Sequence, residues 1–179
     1  MRTNFFWRSA AVVVAAIAML TIQTRTVSAQ EDKFKAIFIY NFTKQIEWPA
    51  SESNDDFVIC VVNQDDVFEQ VKSLAQGKLV NDKTISVIGV KNINDIPDCQ
   101  ILYLPSSESI AGIISSAVAK VGSAATLIVS DKPGALEYGS CINFVMVDYK
   151  IKYEINKKAI EDRNMKVLNS MAVNATNYK

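Results

Sequence analysis

Cys60, Cys99 and Cys141 are the side chains of this 179-residue chain that could react with one another. The chain has no histidine. That removes Ser-His-Asp and Cys-His catalysis and every histidine-ligated zinc or haem site. The acidic pairs Asp55-Asp56 and Asp65-Asp66 lack the spaced oxygen donors of a calcium loop and read as solvated turns. A glycosidase can use two carboxylates far apart in sequence, but nothing in the linear order selects such a pair. No glycine-rich phosphate loop of the Walker or dinucleotide type occurs. No catalytic residue, cofactor or metal is therefore expected, and the chain reads as something other than an enzyme. Three thiols allow three pairings with one left over. The alternative is that all three are buried as small hydrophobes.

Which of these holds depends on compartment, because disulfides persist in exported proteins. Arg2 and Arg8 form a basic start, Ala10 to Leu20 an apolar run, and Val27-Ser28-Ala29 a small-residue cleavage step. The apolar run is too short for a membrane span and is broken by Thr21, Gln23 and Arg25. Residues 1–29 are thus expected to be a cleaved signal peptide, and 30–179 a mature exported domain with no membrane insertion. Losing Arg2, Arg8 and Arg25 leaves an acidic excess of three from an initial 19 basic and 19 acidic residues. That balance argues against nucleic acid as a partner. A mature length of about 150 residues suits one domain with one core.

The elements that must carry these residues are legible from periodicity. Lys33 to Trp48 reads as an amphipathic helix stopped by Pro49. Phe38, Phe42 and Ile46, with Ile39 beside them, mark its buried stripe. Ile37 and Tyr40 fall among Lys33, Lys44 and Glu47 on the other side. Either a second layer covers Ile37 and Tyr40, or they contact a partner protein. Trp48, at the helix stop, reads as mainly structural. Phe57–Val62, Cys99–Leu104 and Thr126–Val129 are apolar runs of the kind buried on both faces of a parallel sheet. Val67–Ala75, closed by Gly77, and a segment capped by Ser106 or Ser107 with Ile110, Ile113, Ile114, Ala117, Val118 and Val121 in helical spacing read as helices between them. Thr84–Val90 reads as a further strand. Asp131–Ser140 reads as a connecting loop, placed where open α/β sheets bind ligands. Ile142–Tyr149 and Ile151–Ile155 suit a hairpin, although its turn lacks glycine. Asn156 caps a last helix carrying Ile160, Val167, Leu168, Met171, Ala172 and Ala175. The expected fold is a single-domain α/β sandwich. Its sheet is mostly parallel with late antiparallel strands, and helices cover both faces.

Several segments, in this order, resemble the YfiR-like family of exported bacterial proteins over nearly all of the mature chain. Lys35 to Pro49 looks like that family's opening helix, with its Tyr-Asn-Phe and Trp-Pro steps. Phe57–Val62, Asp98–Tyr103, Leu127–Asp131, Gly139–Asn143 and Tyr153–Asn156 look like its successive strands and junctions. The resemblance implies a periplasmic regulator that represses a transmembrane sensor by binding its periplasmic region. That sensor would be a diguanylate cyclase, in cyclic-di-GMP signalling, or a sensor kinase, and the resemblance allows the regulator to act as a homodimer. A periplasmic small-ligand binding protein is the alternative. The resemblance also matches Cys60 and Cys99 to one of the family's disulfides. The partner that Cys141 would need, near Gly134, is absent.

Overall fold

A chain that alternates doubly buried apolar runs with amphipathic segments has one economical arrangement, a parallel sheet flanked by its crossover helices. The computed structural model, which describes residues 29–50, 55–63, 65–105 and 110–178, has that arrangement. Helix α1 (29–45) leads into β1 (Ile46–Glu47). Then come β2 (Phe57–Val62), α2 (Asp65–Ala75), β3 (Leu79–Val80) and β4 (Lys83–Val90). They are followed by β5 (Ile101–Leu104), α3 (Ile110–Val121), β6 (Leu127–Ser130), β7 (Ile142–Val147) and β8 (Lys150–Ile155). The chain closes with α4 (Lys157–Glu161), β9 (Lys166–Val167), α5 (Asn169–Asn174) and β10 (Asn177–Tyr178). Residues 1–28 of the expected leader and the expected caps Ser106 and Ser107 lie outside the described residues. Among the described residues no helix is long and apolar enough to cross a membrane.

Eight strands form one sheet in the order β10-β8-β7-β6-β5-β2-β4-β3. The central five, β4, β2, β5, β6 and β7, are mutually parallel. Strand β8 runs antiparallel to β7, and β3 antiparallel to β4. The chain steps from β2 to one side, then returns to the other side for β5, so the order reverses between β2 and β5. Ligands of open α/β sheets bind at the carboxyl ends of strands beside such a reversal. Every residue of β5 and β6 is buried, as expected for strands covered on both faces.

Helix α1 covers the face that carries Tyr103, Phe144 and Tyr153. Phe42 is fully buried; its ring lies 6.1 Å from that of Phe144 and edge-on to Tyr153 at 5.3 Å. Burying a ring of this size contributes about 1.5–3 kcal/mol. Strand alternation turns Cys141 and Asn143 to the opposite face. There the Cys141 sulfur is 3.8 Å from the Ala159 carbonyl of α4. Strands β6 and β7 share only two register pairs. A buried hydrogen-bonded set reinforces the join: Ser130 Oγ to Ser140 Oγ at 2.9 Å and to Asn143 Oδ1 at 3.1 Å.

Two local expectations change. Helix α1 ends at residue 45, not at Trp48, and the expected last helix is broken into α4 and α5. Both changes have one cause: Ile46 and Glu47 pair antiparallel with Val167 and Lys166. The residues expected to be helical at both places are drawn into a small sheet. Asn164, in the left-handed region at φ 57°, makes the exit from α4. The Asn156 cap is present, its side chain accepting from the Ala159 N–H at 3.0 Å. Trp48 is half-buried, donates to the Thr43 carbonyl at 3.0 Å and stands edge-on to Phe57.

The hairpin turn between β7 and β8 is a two-residue loop with both central residues at positive φ, Asp148 at 49° and Tyr149 at 58°. This is the turn that favours glycine at its second position. The left-handed region costs a side-chain-bearing residue about 1–2 kcal/mol, and glycine's extra unfolded freedom takes back about 0.5–1 kcal/mol. Tyr149→Gly is therefore expected to raise stability by about 1 kcal/mol, measured as a shift in the urea midpoint at unchanged slope. A loss of stability would show that the Tyr149 ring is held by contacts that outweigh the strain.

Candidate functional site

Helix α1 is fixed at its N-terminal half by charge. Lys35 Nζ lies 2.7 Å from Asp131 Oδ2 and 3.9 Å from Asp32 Oδ1. The three side chains are only 13%, 8% and 7% exposed. Tyr103 donates its hydroxyl to the same Asp131 oxygen at 2.9 Å. Asp131 follows the last residue of β6, and Tyr103 stands on the neighbouring β5. The cluster thus sits at the carboxyl ends of the parallel strands. The second carboxylate oxygen of Asp131 is buried with no hydrogen-bond partner. Burial pushes the Tyr103 hydroxyl well above its ordinary pKa, and the Asp131 charge adds to the shift. Among the described residues no group of three His, Cys, Asp or Glu is placed to hold a metal ion.

Asp32 is 5% exposed, and burial raises its pKa above the ordinary carboxylate value. Lys35 opposes that shift, while Asp66, Asp131 and Glu31 add to it.

With Lys35 turned inward, the next residues face out. Phe34 is 45% exposed, Met146 50% and Tyr149 100%. With Phe38 and Ile151 they line a groove of about 530 Å³ between α1 and the β7–β8 hairpin. Runs of exposed apolar side chains on a polar surface are typical of contact sites. Ile37 and Tyr40 are half-buried, and Tyr40 packs against the core with Lys44 Nζ 4.8 Å above its ring. Phe34, Ile37 and Tyr40 are spaced three apart, so they form one stripe that begins at the groove. Sequence reasoning singled out Ile37 and Tyr40 and did not single out Phe34. It also missed Met146 and Tyr149, which a strand pattern does not distinguish from ordinary hairpin residues. Lys35 and Tyr103 gave no signal, and Asp131 gave only its position after a strand. Tyr138, in the same sequence stretch as Asp131, is 44% exposed in a separate turn.

The three cysteines are buried thiols. Cys60 and Cys99 are close enough for each thiol to shift the other's titration. That proximity lowers the pKa of Cys60 against the effect of burial, and it raises that of Cys99, with burial in the same direction. Cys141 stands apart, and burial pushes its thiol up to about 11.

The profile of the YfiR/HmsC-like family matches residues 32–173. No curated protein matches the chain. Among solved structures, an ABC domain from Streptococcus pneumonia in complex with L-Trp superposes with a TM-score of 0.51 at 12% identity, covering 69% of this chain and 55% of that one. A conserved domain protein from Vibrio cholerae superposes with a TM-score of 0.52 at 15% identity, covering 68% and 54%. The chain thus spans about half the length of these structures. At such identities they show a common fold.

Because Asp32 binds its proton more tightly in the folded chain than in the unfolded one, folding is favoured by protonation. Its contribution is best below the ordinary value of 3.8 and is lost as pH rises to the raised folded value. Asp32→Asn is expected to raise the melting temperature at neutral pH. The gain should shrink to nothing as pH falls below the ordinary carboxylate value. A lower melting temperature for the variant at every pH would mean that the Asp32–Lys35 contact outweighs burial.

Proposed function

We propose, from the premise that the chain belongs to the YfiR/HmsC-like family, that it binds the periplasmic region of an inner-membrane sensor and represses that sensor. At the level of the family it is a periplasmic regulator, not a catalyst. The finer reading is that the target is a diguanylate cyclase or a sensor kinase, reached by a mature chain of residues 30–179 after removal of residues 1–29. The observation that carries it is the exposed groove of Phe34, Met146 and Tyr149. A large aromatic and a methionine on rigid elements are the anchors that protein contacts use. Ile37 and Tyr40 continue the stripe and form the flank of the same contact, with the sensor or with a second copy.

A second reading is a binding protein for a small ligand. It is favoured by the unpartnered Asp131 oxygen at the carboxyl ends of the strands, and by likeness of fold to a domain solved with L-Trp. Recovery of a stoichiometric small molecule from natively purified protein would favour it.

The same regulatory reading includes a single disulfide between Cys60 and Cys99. Export and the proximity of their thiols support it. Closing a loop of about 40 residues stabilises by about 4 kcal/mol in the chain-entropy model. Mass spectrometry of the unreduced protein should find one bridge joining the peptides of Cys60 and Cys99, with Cys141 free. A bridge containing Cys141 would overturn the pairing.

Phe34→Glu and Met146→Glu are each expected to weaken binding to the sensor's periplasmic region by about 2 kcal/mol or more, with melting temperature little changed. Ile37→Glu and Tyr40→Glu should weaken it less and lower stability as well, because both residues are half-buried. Calorimetric titration beside a melting curve separates the two effects. Wild-type binding by both groove variants would place the recognition surface elsewhere.

A further inference from the structure

On the face of the sheet away from α1, Arg163 is held inside the fold at 7% exposure. Its Nη1 donates to the Ala159 carbonyl at 2.7 Å, closing the end of α4. Its Nε is buried with no acceptor. Among the described residues no carboxylate forms an ion pair with it. The two acids that precede it are engaged elsewhere, Asp162 with Lys158 at 2.6 Å and Glu161 with Lys157 at 3.4 Å. A buried charge without a counter-ion is strongly unfavourable. The charge is felt nearby, since Arg163 pulls the Cys141 thiol down against the larger effect of burial.

Arg163 also lines an open cavity of about 470 Å³, bounded by Ser123, Glu137, Gly139, Asn156, Lys158 and Asp162. That volume is of the size that holds a small molecule. Gly139, at φ 96°, brings bare backbone to the wall. Asn156 is not the missing acceptor: its Oδ1 accepts from Ala159 N–H, its amide donates to the Leu136 carbonyl, and Arg163 Nε reaches neither.

We infer that this cavity binds a small carboxylate, whose oxygens meet the guanidinium of Arg163. The planar fork of arginine matches a planar carboxylate. Asp162 is neutralised by Lys158, so Glu137 is the lining charge that repels a doubly charged anion more than a singly charged one, and a phosphate dianion fits less well. The site is separate from the groove on α1, and its occupancy does not depend on the regulatory reading.

The test is a titration of the isotopically labelled protein with sodium acetate, with sodium chloride and sodium phosphate as parallel arms at equal ionic strength. Acetate is expected to produce saturable shifts at the amides of Ser123 and Gly139 and at the Nε–H of Arg163, and chloride none. Lys157→Gln should retain the response, because Lys157 is engaged with Glu161 and does not line the cavity. Arg163→Gln should abolish it. Should that variant fail to fold, Arg163→Lys keeps the charge but not the fork, and should weaken binding about tenfold. The inference is overturned by shifts that do not saturate, by an equal response to chloride, or by unchanged affinity in either Arg163 variant. Tighter binding of phosphate than of acetate would overturn the carboxylate assignment.

Discussion

Helix α1 precedes every strand of the main sheet, so it is not a crossover and no chain connection presses it against the strands. Side chains must do that, helped at its C-terminal end by the short pairing of β1 with β9. At its C-terminal half the means are apolar: Phe38 and Phe42 against Phe144 and Tyr153. At its N-terminal half the means are ionic, Lys35 on Asp131, with Tyr103 on the same carboxylate. The ionic half fixes rotation about the helix axis in a way that apolar packing does not. A buried ammonium tolerates few positions once its partner is set. With Lys35 directed inward, Phe34 is directed outward. The exposed groove is thus a consequence of the ion pair as much as of the apolar residues that line it.

The ionic end also sits where α/β sheets place their chemistry, at the carboxyl ends of strands beside a reversal of order. Here the position is filled by the protein's own Lys35. A site that in related architectures faces a ligand is turned into a clasp for the first helix. The orphan oxygen of Asp131 shows that the filling is incomplete.

Much of this architecture is legible in the sequence, and the reasons differ by element. The Val-Ile-rich runs of β2, β5 and β6 are readable because burial on both faces leaves no polar position in the pattern. The stripe of α1 is readable because Ile39, Phe42 and Ile46 all face the core. The split of the last helix is not readable, since it depends on Val167 pairing with Ile46 far away in the chain. The β7–β8 turn is hidden for a different reason. Asp148 and Tyr149 adopt a backbone state that sequence rules assign to glycine or asparagine. The ion pair escapes because Lys35 and Asp131 are 96 residues apart, and each is an ordinary charge in its local context. The proximity of Cys60 and Cys99 lies between these cases. The thiols are visible, but their adjacency follows only once β2 and β5 are known to be neighbours.

Strand β4 has a consequence of its own. Its outer side is paired only at Lys83 and Thr84, by the two residues of β3. Beyond that point, among the described residues, no strand borders Ser86 to Val90. A row of backbone donors and acceptors there is open to a strand from another molecule. The short β3, turned back through Asn81 and Asp82, guards one end of that row and leaves the other exposed. Antiparallel pairing of β4 with β4 of a second copy would close as a two-fold pair, whereas pairing of β4 with the opposite edge, β10, would grow as an open ladder.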